Sequence, residues 1–521
     1  MNCLMNISDA VATHARLTPN KIGARDSVRS LTFAAWHERA TQLANGLLAL
    51  GLTKGDRVAL LAYNRVEWME MYAGLARAGL VAVPLNFRLM TAEIDYILGH
   101  SGAVAMIVQD ELIERVEPLR AKLNLPSKVF IALGEAANEG WTAYEQILAT
   151  APLNVPPFSV LPSDMSALMY TSGTTGRPKG AVRSHEGSSL IALATALDMG
   201  FKAEDSALLV MPMCHANSLY FSHTFTQLGA TCVIDDRKSF DPETLLATLS
   251  AEKITFTSLV PTHYIMMLGL PADVKAKYDV SAVEKLMISS APARKDTKLA
   301  ILSFFKNGKL YELYGSTEAG WVTLLRPHEQ IDRLGSVGRE WAGSGAIKLL
   351  NSDGQEVPDG EVGELFSKTP YVFDGYWNDP EKTKEAFAGQ WCSVGDMALR
   401  DQDGFIHLVD RKSNMIISGG ENIYSSEVEG VLGAHEKVKD VAVLGVPHDK
   451  WGEAVHAFVV LHHEVEASEE ELIAWCKTRM AGYKRPQTIA FIQDEEMPRT
   501  ATGKILHRVL RQSILQGTQK P

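Results

Sequence analysis

The amino-acid sequence predicts an α/β protein with a large amino-terminal domain of α/β sheets, a small β-barrel-like section and a small carboxy-terminal α/β domain. Three features lead there. Apolar, β-rich runs alternate with helix-like segments over the first roughly 330 residues, the pattern of largely parallel sheets covered by helices. From about Ala346 short strands and turn signals follow one another instead. After Asp410 a second strand–helix alternation begins, long enough for a domain of its own.

In the first region Val58–Leu61, Val104–Val108 and Lys128–Leu133 read as strands, and Phe33–Leu50 and Trp68–Ala78 as helices. Trp68, Met71, Tyr72 and Leu75 fall at helical spacing and form a core-facing stripe. The middle section is punctuated by Ser352-Asp353-Gly354, Pro358-Asp359-Gly360 and the turn from Asp401 to Gly404. The last region reads as helix Ser425–Leu432, strands Val438–Val446 and His456–Leu461, and helix Ser468–Met480. There is no internal repeat and no low-complexity segment.

The 521 residues are 46% hydrophobic, enough to bury a core in more than one unit. Lys and Arg number 51 against 62 Asp and Glu, a formal charge of −11 that suits a phosphate-neutralising nucleic-acid binder poorly. The five cysteines form no CxxC pair, so neither a disulfide framework nor a zinc site is expected, in keeping with a reducing compartment. Met1 to Asn20 is interrupted by Asp9 and His14 and does not read as a signal peptide. No apolar run nears the ~20 residues that span a bilayer, so a soluble cytoplasmic protein is expected. Residues 471–521 carry nine Lys or Arg against four Asp or Glu; this basic stretch is either a solvated face or one that meets polyanionic ligands.

The strongest chemical signal is the run Tyr170-Thr-Ser-Gly-Thr-Thr-Gly-Arg-Pro-Lys-Gly180, preceded by the apolar run Ala167–Met169. Small residues let backbone N–H groups converge on phosphate oxygens, hydroxyls add donors, and Lys179 adds a mobile positive charge. A Walker A loop is excluded, because GxxxxGK[ST] is absent and Pro178 stands where that loop starts its helix.

This run resembles the phosphate-loop signature of the adenylate-forming (AMP-binding) superfamily, which includes acyl- and aryl-CoA synthetases, peptide-synthetase adenylation domains and firefly-type luciferases. Other blocks resemble the family in the same order: Met211–Asn217 with His215, Tyr311–Glu318, Gly335–Arg339, Gly363–Leu365, Trp391, Gly395-Asp396, Asp410–Ile423 and Pro498–Lys504. The resemblance implies an AMP-forming acid–thiol ligase that makes an acyl-adenylate from ATP and a carboxylic acid. It implies residues 1–411 as the ATP- and acid-binding domain and 412–521 as a mobile domain carrying the catalytic lysine and the CoA contacts.

By the same resemblance, Lys504 reaches in from the small domain to bridge carboxylate and α-phosphate. Lys179 and the loop donors Thr171, Ser172, Gly173, Thr174, Thr175 and Gly176 hold the outer phosphates. Glu318 binds Mg²⁺, and Tyr314 stacks on adenine beside Gly315, Ser316 and Thr317. Asp396 accepts the ribose hydroxyls, Arg411 contacts ribose or phosphate, and His215 belongs to the acid site. These charges have a physical purpose: two anions ~4 Å apart repel by roughly 4 kcal/mol at an effective dielectric near 20, and catalysis must offset that while holding the reactants in line.

For the second half-reaction, Asn86-Phe87-Arg88-Leu89 resembles a CoA-synthetase segment in which the arginine meets a nucleotide phosphate. Trp451, Tyr483 and Arg485 stand where related aryl-CoA ligases place an aromatic pair and an arginine around the CoA nucleotide; ordinary packing of a small domain stays open for Trp451. Gln487 stands where some aryl ligases have lysine, and Gly419-Gly420 lets the pantetheine arm pass close to backbone. The hinge position, generally Asp or Lys in relatives, is Ser413. ATP, Mg²⁺ and coenzyme A are thus the expected cofactors and a carboxylic acid the expected partner, with no nucleic acid, no membrane span and a homodimer as an open option. No carrier domain follows Lys504, so CoA is expected as acceptor and a carrier protein is the alternative. The segments His215–Phe221, Ser289–Ala291 and Ala319–Trp321 are expected to face the tail of the acid. None of them holds Asp, Glu, Lys or Arg, so the tail is expected to be uncharged, medium-sized, and aliphatic or phenylpropenoic.

Overall fold

A computed structural model describes residues 6–120, 129–134, 139–156, 159–171, 178–290, 293–418, 421–500, 503 and 505–516. The chain divides into two compact units, Met1–Ala346 with Ser367–Cys392, and Ile347–Phe366 with Ser393–Pro521.

The first unit is built on two large, mainly parallel sheets. In one, six parallel strands run in the order Lys309–Ser316, Lys285–Ile288, Phe256–Leu259, Ser206–Leu209, Thr231–Ile234 and Ile22–Arg25, with antiparallel strands added at both edges. In the other, Met165–Thr171, Val81–Leu85, Arg57–Leu61, Ala105–Gln109, Val129–Leu133 and Thr142–Ala143 are parallel. Lys179–Ser184 pairs antiparallel with Met165–Thr171, and Gly375–Tyr376 pairs antiparallel with Lys179–Ser184. Arg57–Leu61, Val81–Leu85 and Ala105–Gln109 are mainly apolar and buried apart from Arg57, as a sheet covered on both faces requires.

The expected helices form over Phe33–Ala49 and Glu67–Ala78. The second is buried all round, where the sequence suggested one apolar stripe. Its charges survive burial by pairing: Glu70, fully buried, meets Arg29 at 2.6 Å and Arg39 at 2.7 Å, and accepts from Tyr144 Oη at 3.0 Å.

In the second unit Val362–Glu364, Asp396–Arg400 and Ile406–Arg411 form an antiparallel section. The carboxy-terminal sheet joins Glu421–Ile423, Ile416–Ser418, Gly452–Leu461 and Val438–His448, with Thr488–Phe491 parallel to Gly452–Leu461. Helices Ser425–Leu432 and Glu469–Lys477 pack their buried Val428, Leu432, Leu472 and Cys476 into its core. Among the described residues no helix is long and apolar enough to cross a membrane.

Candidate active site

Six candidate residues of the first unit sit where chain leaves the carboxyl end of a parallel strand, the usual place for ligands in open α/β sheets. Arg88 follows Val81–Leu85 and Thr171 ends Met165–Thr171. His215 follows Ser206–Leu209, Tyr314 closes Lys309–Ser316, and Glu318 lies just beyond it. Lys179 opens the return strand in register with Thr171. After the phosphate-loop run the chain therefore continues as a strand, which sets it apart from a strand–loop–helix nucleotide site. Ser172, Gly173, Thr174, Thr175 and Gly176 lie outside the described residues.

Glu318 is the centre of this group. It is buried, yet its Oε1 accepts from Thr171 Oγ1 at 3.2 Å and from Tyr376 Oη at 2.9 Å. Lys179 Nζ stands 4.2 Å from the centroid of the same Tyr376 ring, so one phenol touches both the carboxylate and the lysine. The Glu318 carbonyl is pinned as well, accepting from Phe373 N at 2.7 Å and from Arg183 Nη1 at 3.1 Å. Arg183 is 1% exposed and also donates to Tyr371 O at 2.6 Å. Among the described residues no side chain takes Glu318 Oε2, and no cluster of three metal-ligating residues exists. A single carboxylate completed by phosphate oxygens is how Mg²⁺ is ordinarily held, so the donor set fits that ion.

Tyr314, Gly315 and Ser316 form a hairpin with Gly320–Leu325, bulged between Tyr314 and Gly315. A Cβ at Gly315 would lie 2.4 Å from the Gly320 carbonyl oxygen, so only glycine lets the two strands approach this closely. Ser316 Oγ accepts from Ala319 N at 2.9 Å, and Thr317 completes the turn into Glu318.

His215 precedes helix Ala216–Gln227 without capping it through its side chain. Its Nε2 stands 3.5 Å from Asn86 Nδ2, and Asn86 Oδ1 accepts from Arg88 N at 2.9 Å. Burial, with the Arg88 guanidinium second, pushes the His215 imidazole down to about 4, so it is neutral at physiological pH. The same causes bring His263 to about 4.

The segments assigned to the acid tail divide. Asn217 Nδ2 donates to Ser258 Oγ and to Ser289 Oγ, each at 2.9 Å. Ser290 is exposed and holds φ +70°, and Ala291 lies outside the described residues. Ser218 instead donates to Met211 O at 2.6 Å, and Tyr220 is fully buried under Arg183. At Gly320 a Cβ would meet the Tyr371 ring at 2.6 Å, so packing holds this position to glycine. Ala319 and Gly320 are both buried.

In the second unit, strand pairing sets Asp396 opposite Arg411, and Arg411 Nε lies 3.0 Å from Asp396 Oδ1. Trp451 and Tyr483 are 40% and 48% exposed, each with a lysine (Lys450, Lys484) near its ring face. Arg485 turns back on the preceding helix and donates to Lys477 O at 3.1 Å and Met480 O at 3.3 Å. Gly419, Gly420 and Lys504 lie outside the described residues.

Tyr376, Arg183, Asn86 and Ser258 were not singled out from the sequence. Arg183 stands three residues past the phosphate-loop run, and Asn86 begins the Arg88 segment, so both had a local signal. Tyr376 and Ser258 had none.

The chain matches two family models, "AMP-binding enzyme" over residues 11–377 and "AMP-binding enzyme C-terminal domain" over residues 427–504. It is 36% identical over 502 residues to a feruloyl-CoA synthase of an Amycolatopsis species, covering 95% of this chain and 96% of that one. It is 34% identical over 485 residues to the long-chain-fatty-acid–CoA ligase FadD13 of Mycobacterium tuberculosis, covering 92% and 93%. The crystal structure of the anthranilate CoA ligase AuaEII with anthranoyl-AMP superposes with a TM-score of 0.89 at 27% identity, covering 99% of each chain. With its described motifs in the family's order and both family models matched, the chain belongs to the adenylate-forming AMP-binding enzymes, as an AMP-forming ligase of their acyl- and aryl-CoA synthetase branch.

Proposed function

We propose that this enzyme joins an uncharged-tail, medium-sized monocarboxylic acid, aliphatic or phenylpropenoic, to coenzyme A. In the first step a carboxylate oxygen bonds to the α-phosphorus of ATP, the bond to the bridging oxygen breaks, and pyrophosphate leaves. In the second the CoA sulfur bonds to the acyl carbon, the acyl–oxygen bond breaks, and AMP leaves. The observation that carries this reading is the meeting of Thr171, Tyr376 and Glu318 at the carboxyl ends of two parallel sheets, with Lys179 on the same tyrosine ring.

Glu318 would hold Mg²⁺, which would supply charge neutralisation. Lys179, Thr171 and residues 172–176 hold the outer phosphates, and Tyr314 stacks on adenine. Asp396 accepts the ribose hydroxyls, with Arg411 beside it, and Lys504 offsets the repulsion between carboxylate and α-phosphate. Arg88, Trp451 and Tyr483 take the CoA nucleotide, with residues 419–420 leaving room for its arm. Arg485 must exchange the Lys477 and Met480 carbonyls for a phosphate to take part. Residues 412–521 act as the mobile part. The four buried free thiols among the described residues suit the reducing cytoplasm, where ATP and CoA are made available.

The test is pyrophosphate release across hexanoate, octanoate, palmitate, benzoate, cinnamate, a hydroxycinnamate, succinate and an amino acid, each with and without CoA. Acyl-CoA and AMP formation from the uncharged medium-sized acids is expected. Release unaffected by CoA, with transfer to a pantetheinylated carrier protein, would replace the acceptor. Preference for succinate or an amino acid would overturn the tail assignment.

A further inference from the structure

Asn217 lies in the first turn after His215, Ser258 near the carboxyl end of Phe256–Leu259, and Ser289 directly after Lys285–Ile288. All three therefore stand along the row of strand ends that also carries Tyr314 and Glu318. They are 9%, 4% and 3% exposed, but accessible surface begins at their neighbours: His215 and Ala216 are partly exposed, and Ser290 is exposed. Polar groups this deep are normally satisfied.

These are only partly satisfied. Both amide protons of Asn217 are used on the two hydroxyl oxygens, at 2.9 Å each. The two hydroxyls stand 3.4 Å apart, so at most one of their protons is spent between them. Among the described residues that leaves one O–H donor and the Asn217 Oδ1 acceptor side by side without partners. A ligand hydroxyl, which donates once and accepts once, matches that pair. A methyl or methylene leaves both groups unpaired, and a carboxylate sets oxygen against oxygen.

We propose that Asn217, Ser258 and Ser289 read a hydroxyl on the tail of the acid, so that the substrate class is hydroxylated monocarboxylic acids. This rests on the ligase reading given above. Sites built to bond a substrate hydroxyl reject analogues that lack it, because their own buried polar groups are then stranded.

The experiment compares kcat/KM for matched acids, 4-hydroxycinnamate against cinnamate and 6-hydroxyhexanoate against hexanoate, by CoA-dependent AMP formation. At least one hydroxylated acid is expected to be favoured about tenfold or more. In Asn217→Ala and in Ser289→Ala that ratio is expected to fall about tenfold; the serine variant removes one hydroxyl and guards against misfolding of the first, with thermal melting as the check. Equal use of plain and hydroxylated acids, with CoA still required, would overturn the proposal and leave the ligase reading standing. A large ratio that survives in both folded variants would place the hydroxyl contact elsewhere and overturn it too. Absence of CoA-dependent AMP formation with every acid would instead defeat the ligase reading.

Discussion

At the scale of single residues, the site is organised by what holds Glu318 still. Thr171 and Tyr376 donate to the same oxygen, while Arg183 and Phe373 fix the backbone behind it. A carboxylate oriented this way loses little freedom when a cation arrives. Tyr376→Phe removes one donor but keeps the ring under Lys179. We expect the apparent Mg²⁺ requirement for acyl-adenylate formation to rise about tenfold, with excess Mg²⁺ restoring most of the rate. Titration of MgATP binding by calorimetry checks the same point without turnover; an unchanged Mg²⁺ dependence in both would leave Tyr376 a packing residue only. Ser290 is one of the described non-glycine residues with positive φ; φ +70° is uncommon for a side chain and costs of order 1–3 kcal/mol. It directly follows Ser289, so the strain falls beside the group proposed to read the acid.

At the scale of elements, the turn Lys412–Asn414 links the strand that ends at Arg411 to the carboxy-terminal sheet. Ser413 within it is exposed, and its hydroxyl contacts only the neighbouring Asn414 at 3.5 Å. Its neighbours are tied, Lys412 to Gly395 O at 2.8 Å and to Glu364 at 2.7 Å and Asn414 to Asp410 at 3.2 Å, so Ser413 is the residue of this turn whose side chain least opposes a change in φ and ψ. Proline fixes φ near −65°. Ser413→Pro should therefore slow thioester formation from supplied acyl-adenylate severalfold more than it slows adenylation. Rapid-quench measurement of the two half-reactions decides this, and equal rates in both would remove Ser413 as the pivot.

At the scale of the whole molecule, buried imidazoles tie stability to pH in both units. Burial lowers His223 to about 3 in the first unit and His456 to about 4 in the second. Each is kept neutral by the fold, whereas the unfolded chain takes up a proton as pH falls through about 6.5. Their contribution is complete above that value and is lost progressively towards pH 4, on the order of 1–2 kcal/mol each at pH 5. Calorimetric melting between pH 7.5 and 5 should show Tm falling, and His223→Gln should flatten the fall; a level Tm would contradict the neutral assignment. A second whole-molecule expectation concerns the division of labour. Lys504→Ala should lose acyl-adenylate formation by two orders of magnitude or more while still converting supplied acyl-adenylate to thioester. Equal loss of both steps in a folded variant would contradict that role.

The sequence alone determined the chemistry written in contiguous runs. Thr171, Lys179, the Tyr314–Glu318 turn, Asp396 and Arg411 all sit in blocks whose order and composition identify the family. The strands around them were legible as well, because a strand buried on both faces is an unbroken apolar run such as Val81–Leu85. Only the tertiary structure decided which distant groups complete those blocks. Tyr376 meets Glu318 across 58 residues and Asn217 meets Ser289 across 72, and both meetings depend on strand order and register. Gly320 and Arg485 show the same limit from the other side. The room a glycine leaves is filled by Tyr371, and an arginine expected at a phosphate is engaged by the backbone carbonyls of Lys477 and Met480. A local run specifies what a residue offers chemically; packing between elements far apart in sequence specifies what that residue touches.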